Sequence, residues 1–284
     1  MPADQPATAP KRPPIEAPGP ATVDALFTLK DKVALLTDVG GTGSKEVAQL
    51  LADAGAKVVI ADRAFAAAKS HAAEINEAGG KAVAKDVDIE SEAAVIALFE
   101  EVVRELGQLD IVVNCVGMHG ARLVTETSAE QWDAMHSVNL RSTFFCVREA
   151  VKHMSAAGRG GRIVNITTIG TQHPVRRGNA AYGSSRLAVT ALSRNVALDH
   201  LHEGILVNIV HAGGIAGKCP DLPQMPPQTP AVKPPFDPAG GGTRMPFGGG
   251  HMVDVAAAVL YLVSPAGRYM TGQSVIVDGG FLLT

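Results

Sequence analysis

The sequence predicts an α/β fold, a single doubly wound parallel sheet of about seven strands with helices on both faces. From residue 31 onward, short runs rich in Val, Ile and Leu alternate with longer helical stretches, the order expected of parallel strands joined by crossover helices. The runs are apolar throughout and do not alternate with polar residues, as in strands covered on both faces. A glycine-rich turn stands between the first strand and the first long helix, where such sheets bind ligands.

Residues 1–26 hold seven prolines and almost no large apolar side chains. They bury too little to offset the entropy of ordering and read as a disordered arm. The strands follow as Val33 to Thr37, Lys57 to Ala61, Lys81 to Lys85, Ile111 to Asn114, Arg162 to Ile166, Leu206 to Val210 and Ser274 to Val277. Between them the helices are Lys45 to Ala54, Ala64 to Ala78, Ser91 to Leu106, Ala129 to Ala156, Ala181 to Leu201 and Met252 to Val263. In the last helix Val253, Ala256, Ala257, Leu260 and Val263 recur at helical spacing. Gly217 to Gly250 breaks the pattern with nine prolines and seven glycines in 34 residues, which excludes a regular core element. Its Met225, Phe236, Met245 and Phe247 suit a lid over an apolar substrate, and a solvent-exposed insertion suits them equally. The domain therefore runs from residue 27 to 284.

A formal net charge of −3 with no basic run gives no footprint for nucleic acid or an anionic membrane. Cys115, Cys146 and Cys219 are odd in number and widely spaced, which fits neither a disulfide framework nor a zinc site. Nine histidines lack ligand spacing, and no metal is expected. No apolar run approaches the roughly 20 residues that span a bilayer, and no signal-peptide core is present, so a cytoplasmic protein is expected.

The segment Val33 to Arg63 reads strand, glycine-rich turn, helix, strand. That order directs backbone N–H groups and a helix N-terminus at a pyrophosphate. Asp62, 20 residues after Thr42, is placed to accept hydrogen bonds from an adenosine ribose. Its charge disfavours a 2′-phosphate, so NAD is expected over NADP. Further along, AAYGSSRLAV places Tyr182 and Arg186 four residues apart on one helical face. A cation there favours the phenolate and lowers a pKa that is ordinarily about 10, which suits Tyr182 to proton transfer.

With LDIVVNCVG (Leu109 to Gly117), Asp86 and Val87, Asn139 in SVNL, GRIVNITT (Gly161 to Thr168) and TGQSVIVDGG (Thr271 to Gly280), the chain resembles the short-chain dehydrogenase/reductase family from Asp31 to its C-terminus. The resemblance implies a Rossmann-type sheet and a nicotinamide cofactor held by Thr37, Asp38, Gly40, Gly41, Thr42, Gly43, Ser44, Asp62, Arg63, Asp86, Val87, Asn114, Val116, Gly117, Gly213 and Ile215. It implies that Tyr182 exchanges the proton, Thr168 stands at the family's serine position and holds the substrate oxygen, and Asn139 supports a water relay. Arg186 stands where the family pattern YxxxK has lysine. The chain departs from TGxxxGxG as well, since Asp38, Thr42 and Ser44 occupy the three glycine positions. Asp38 either repels a pyrophosphate or faces a ribose hydroxyl. Cys115 replaces the second asparagine of NNAG. His211 lies where a loop position beside the cofactor suffices to explain it, and Trp132 reads as packing.

The expectation is an NAD(H)-dependent oxidoreductase interconverting a secondary alcohol and a ketone of an apolar small molecule, in a homodimer or homotetramer. The alternative is a binding or regulatory protein on the same fold, or a lyase or isomerase reusing the pocket, because the glycine turn and the lysine are altered together.

Overall fold

The computed structural model describes residues 21–38, 43–215 and 249–283. The arm up to residue 20 and the insertion at 216–248 lie outside them. Seven strands form one parallel sheet: β1 (Val33–Thr37), β2 (Lys57–Asp62), β3 (Lys81–Asp86), β4 (Ile111–Asn114), β5 (Gly161–Thr168), β6 (Ile205–Ala212) and β7 (Ser274–Val277). Their order is β3-β2-β1-β4-β5-β6-β7, and every pairing is parallel. The chain reverses direction across the sheet between β1 and β4, the crevice where open α/β sheets take ligands.

The helices are α1 (Val23–Phe27), α2 (Ser44–Asp53), α3 (Phe65–Glu77), α4 (Glu92–Leu106), α5 (Ala129–His136), α6 (Ser142–Ala157), α7 (Ala180–Asp199) and α8 (Met252–Val263). Successive residues of β1 enter opposite cores. Val33 and Leu35 pack in one, with residues of α4 to α7, and Ala34 and Leu36 in the other, with residues of α2, α3 and α8. Burial on both faces explains why the strand has no polar alternation.

Several expectations are corrected. Residues 23–26 do not belong to a disordered arm: Thr22 caps α1, accepting from the Ala25 N–H, and α1 packs on the turn Pro265–Gly267. The single helix expected from Ala129 to Ala156 is broken by a π-helical turn, Ser137–Arg141. The hydroxyls of Ser142 and Thr143 hydrogen-bond back to the carbonyls of Val138 and Asn139, which satisfies the groups that the wider turn frees. In α8 the buried seam is Val255, Ala256, Val259, Leu262 and Val263, while Val253 faces outward. Ala256 and Val263 of the helically spaced set belong to it.

Four strands run past their expected ends, and the added residues include Asp62, Asp86, Thr168 and Ala212. All four sit at the carboxyl edge of the sheet. A polar ladder crosses the apolar interior below that edge: Thr37 donates to Asn114 at 2.7 Å, Asn114 to Asn165 at 2.7 Å, and Asn165 to Ser193 of α7 at 2.8 Å. Each member is buried and bonded, the condition under which a core tolerates such groups.

Candidate active site

Tyr182 enters the site from the first turn of α7, with 7% of its surface exposed. Thr168, the last residue of β5, favours its phenolate. The Thr168 Oγ1 accepts from the Gly170 N–H at 3.2 Å, and its hydroxyl proton is available for a further partner. One turn further along α7, the Arg186 Nη1 donates to the Val116 carbonyl at 2.6 Å and Nη2 donates to the Ile166 carbonyl. Arg186 therefore ties the end of β4 to β5.

Asn139 lies in the π-helical turn, where its side chain bonds to Met118 and Ser185. Its Oδ1 accepts from the Met118 N–H at 2.6 Å, while Nδ2 donates to the Met118 carbonyl at 3.1 Å and the Ser185 hydroxyl at 3.0 Å. Ser185 donates in turn to the Tyr182 carbonyl at 2.8 Å. The wide turn thus fixes both the segment after β4 and the first turn of α7. Tyr182 and Arg186 on α7 lie by the end of β5 that carries Thr168, and Asn139 reaches the same turn of α7 through Ser185.

The expected cofactor residues divide. Asp38, Asp62, Asn114, Val116 and Gly117 are buried at the carboxyl ends of β1, β2 and β4, beside the switch point. Asp62 accepts from the Ala64 N–H at 2.9 Å. Asp38 and Asp62 both act electrostatically on Cys115, and with burial they push its thiol well above its ordinary range. Gly43 has φ 130°, which favours glycine, and a Cβ there would collide with Met252 of α8. Gly213 admits the backbone of Asp278, whose Cα would lie 2.6 Å from an added Cβ. Ile215 forms a bridge with Gly250. Val87 is buried and Asp86 exposed, next to Asp62 in strand register. Arg63 is drawn to Glu90 at 3.5 Å. The side chains of Thr37 and Asn114 serve the buried ladder. Gly40, Gly41 and Thr42 lie outside the described residues, as does the Ser44 side chain; the Ser44 backbone opens α2.

The family described as enoyl-(acyl carrier protein) reductase matches residues 43–282. The short chain dehydrogenase/reductase astE of Aspergillus oryzae is 30% identical over 90% of this chain and 97% of its own. A 3beta-hydroxysteroid dehydrogenase of Mediterraneibacter gnavus is 32% identical over 88% of this chain and 95% of its own. A dehydrogenase/reductase from Sinorhizobium meliloti has a similar crystal structure, with a TM-score of 0.78 at 31% identity, covering 90% of this chain and 96% of that one. The chain belongs to the short-chain dehydrogenase/reductase family.

As a short-chain dehydrogenase/reductase the protein is an oxidoreductase, and the family typically uses a nicotinamide cofactor. The switch-point crevice and the buried carboxylates at the ends of β1 and β2 fit the sugar side of such a group. No helix among the described residues is long and apolar enough to cross a membrane.

The electrostatics of this dehydrogenase/reductase correct one expectation. Burial raises the Tyr182 pKa above its ordinary value of 10.0, and Arg186, the Thr168 hydroxyl and Arg176 only oppose that rise. With both Nη atoms on backbone carbonyls, the Arg186 charge is shared before it reaches the phenol.

Two histidines are added to the site by the structure. His119, just past β4, lies against the Tyr182 ring with centroids 4.6 Å apart, and burial lowers its pKa to about 4. His211 is a fully buried residue inside β6 and not a loop position. Its Nε2 lies 3.1 Å from the Gln172 amide nitrogen and 3.0 Å from the Ser274 hydroxyl. Nε2 therefore accepts, and Nδ1 carries the proton toward the hydroxyls of Thr167 at 2.5 Å and Thr171 at 3.1 Å. Thr171 donates to the Thr168 carbonyl at 2.9 Å, so His211 holds the turn that carries Thr168. A histidine inside the apolar run VNIVHA was the available signal; for His119 the sequence offered only its place after a strand end.

Proposed function

We propose that the protein is an NAD(H)-dependent oxidoreductase that interconverts a secondary alcohol and a ketone. The observation that carries this reading is the meeting, at the carboxyl edge of the sheet, of the first turns of α7, which bear Tyr182 and Arg186, with the end of β5, where Arg186 bonds to the Ile166 carbonyl and Thr168 stands last. When bound, the nicotinamide cofactor supplies or accepts the hydride. Asp62 favours an unphosphorylated ribose and hence NAD. The Thr168 hydroxyl donates to the substrate carbonyl oxygen, and Tyr182 gives its Oη proton to that oxygen in reduction and takes it back in oxidation. Arg186 adds positive charge beside the developing alkoxide, and Asn139 positions the water that replenishes the Tyr182 proton. The reading also includes a cytoplasmic homodimer or homotetramer and an apolar substrate.

Calorimetry with NAD, NADH, NADP and NADPH at millimolar concentration tests this assignment. Binding of the NAD pair in preference to the NADP pair is expected, and absence of NAD(H) binding would sink it.

A further inference from the structure

Asn139 holds the segment that carries His119 against the turn that carries Tyr182. Its side chain bonds to the N–H of Met118 at 2.6 Å and the carbonyl of Met118 at 3.1 Å, and its Nδ2 also donates to the Ser185 hydroxyl at 3.0 Å. Ser185 donates in turn to the Tyr182 carbonyl at 2.8 Å, and the Arg186 Nη1 pins the Val116 carbonyl earlier in the same segment. From this fixed backbone the His119 ring meets the Tyr182 ring at a centroid distance of 4.6 Å and an interplanar angle of 32°. The two rings form one preorganised pair.

The imidazole reaches from the phenol to the edge of the sheet. Its Nε2 lies toward Gly117, where an added Cβ would be 3.7 Å away. Gly117 is buried just past β4, beside the switch point, and is one of the expected cofactor residues. On the oxidoreductase reading, hydride passes between the cofactor and a carbon whose oxygen is at Tyr182. That carbon and its neighbours therefore lie along the His119 ring.

The ring has capacity to spare. It is half-buried, and among the described residues no hydrogen bond uses its nitrogens. His211 contrasts with it, since Thr167, Thr171, Gln172 and Ser274 meet its nitrogens. Burial lowers the His119 pKa to about 4, so near pH 7 the ring is neutral, with one N–H donor and one acceptor nitrogen. A hydroxyl complements either nitrogen, because it both accepts and donates. Tyr182 and Thr168 take the reacting oxygen, which leaves His119 for a second one.

We propose that His119 is a substrate-binding residue that hydrogen-bonds a hydroxyl on the carbon next to the reacting one, so that the substrate is a vicinal diol in one direction and an α-hydroxy ketone in the other. The proposal rests on the oxidoreductase reading for the reaction at Tyr182. In oxidation the reacting carbon gives hydride to the oxidised nicotinamide and its hydroxyl proton passes to Tyr182, while the neighbouring hydroxyl stays intact. The apolar substrate of that reading is narrowed to one with this second oxygen.

The test uses two pairs that differ only by a hydroxyl in place of a methyl group: 2-hydroxyacetophenone with propiophenone, and 1-hydroxy-2-butanone with 3-pentanone. Binding to protein supplied with NADH or NADPH is read by calorimetry and turnover by cofactor absorbance. In at least one pair the hydroxy ketone is expected to bind about tenfold or more tightly than its partner. His119→Phe keeps a ring against Tyr182 and is expected to erase that preference. His119→Ala makes the same test should the Phe variant fail to fold. Equal or weaker binding of both hydroxy ketones, or no binding of either, overturns the proposal, as does a preference undiminished in the folded variant. A hydroxy ketone preference in binding without turnover of any ketone supports the second-oxygen site and counts against the oxidoreductase reading alone. Turnover of the ketones without any preference does the reverse.

Discussion

The Nη1 of Arg186 donates to the carbonyl of Val116 at 2.6 Å. With Nη2 on the Ile166 carbonyl, the residue at the family's lysine position doubles as a clamp between β4 and β5. Arg186→Met removes both donors and leaves two carbonyls in the protein interior. A loss of about 2–4 kcal/mol in urea denaturation is expected. Arg186→Lys keeps the charge, frees the two carbonyls in part and restores a compact ammonium beside Tyr182. It is expected to raise kcat/KM about tenfold while lowering stability. An unchanged kcat/KM in a folded variant would show that the substitution does not limit the reaction.

Tyr182→Phe removes the hydroxyl assigned above as proton donor and keeps the ring that packs against His119. Turnover is expected to fall by about 10²–10⁴ with the melting temperature little changed. Because burial raises the phenol pKa, an absorbance titration of the wild type should contain one late tyrosine that this variant lacks. A Tyr182 signal at or below the ordinary range contradicts the predominance of burial.

His211 links acidity to stability. Its pKa is lowered to about 4 in the folded protein from an ordinary 6.5, so above about pH 6.5 it is neutral in both states and contributes no pH dependence. As the pH falls from about 6.5 toward 4, the unfolded chain binds the proton first and stability declines, by about 2 kcal/mol at pH 5 from this group. His119, also lowered to about 4, adds to the same slope. Urea melts between pH 5 and 8 should show the loss in the wild type and a shallower slope in His211→Gln. The variant should also lower kcat more than it raises KM, since the turn that carries Thr168 loses its support.

The NAD assignment rests on Asp62. Asp62→Ser removes a negative charge from the end of β2 while leaving a hydroxyl able to accept from the Ala64 N–H. The NAD-to-NADP affinity ratio is expected to fall about tenfold or more, measured by calorimetry. An unaltered ratio would assign the discrimination to another residue.

Much of the site was legible because its spacing is local. Tyr182 and Arg186 share a helical face by virtue of four residues, and Thr168, Asp62 and Asp86 stand at strand ends that an apolar run reveals. The π-helical turn was not legible. Residues 129–156 keep a continuous helical pattern, and the extra residue in the turn appears only when Asn139 must reach the backbone of Met118, 21 positions away in sequence.

The sequence by itself determined the parallel α/β sheet, the identity of the strands and the position of the phenol, because hydrophobic periodicity and short-range spacing are properties of neighbouring residues. Only the tertiary structure decided what those groups experience. It turned the Arg186 guanidinium onto the carbonyls of Val116 and Ile166, laid His119 on Tyr182 and set His211 beneath the turn of Thr168. Each of these relations joins residues at least 20 positions apart, and the desolvation that governs their proton affinities exists only once the chain has packed.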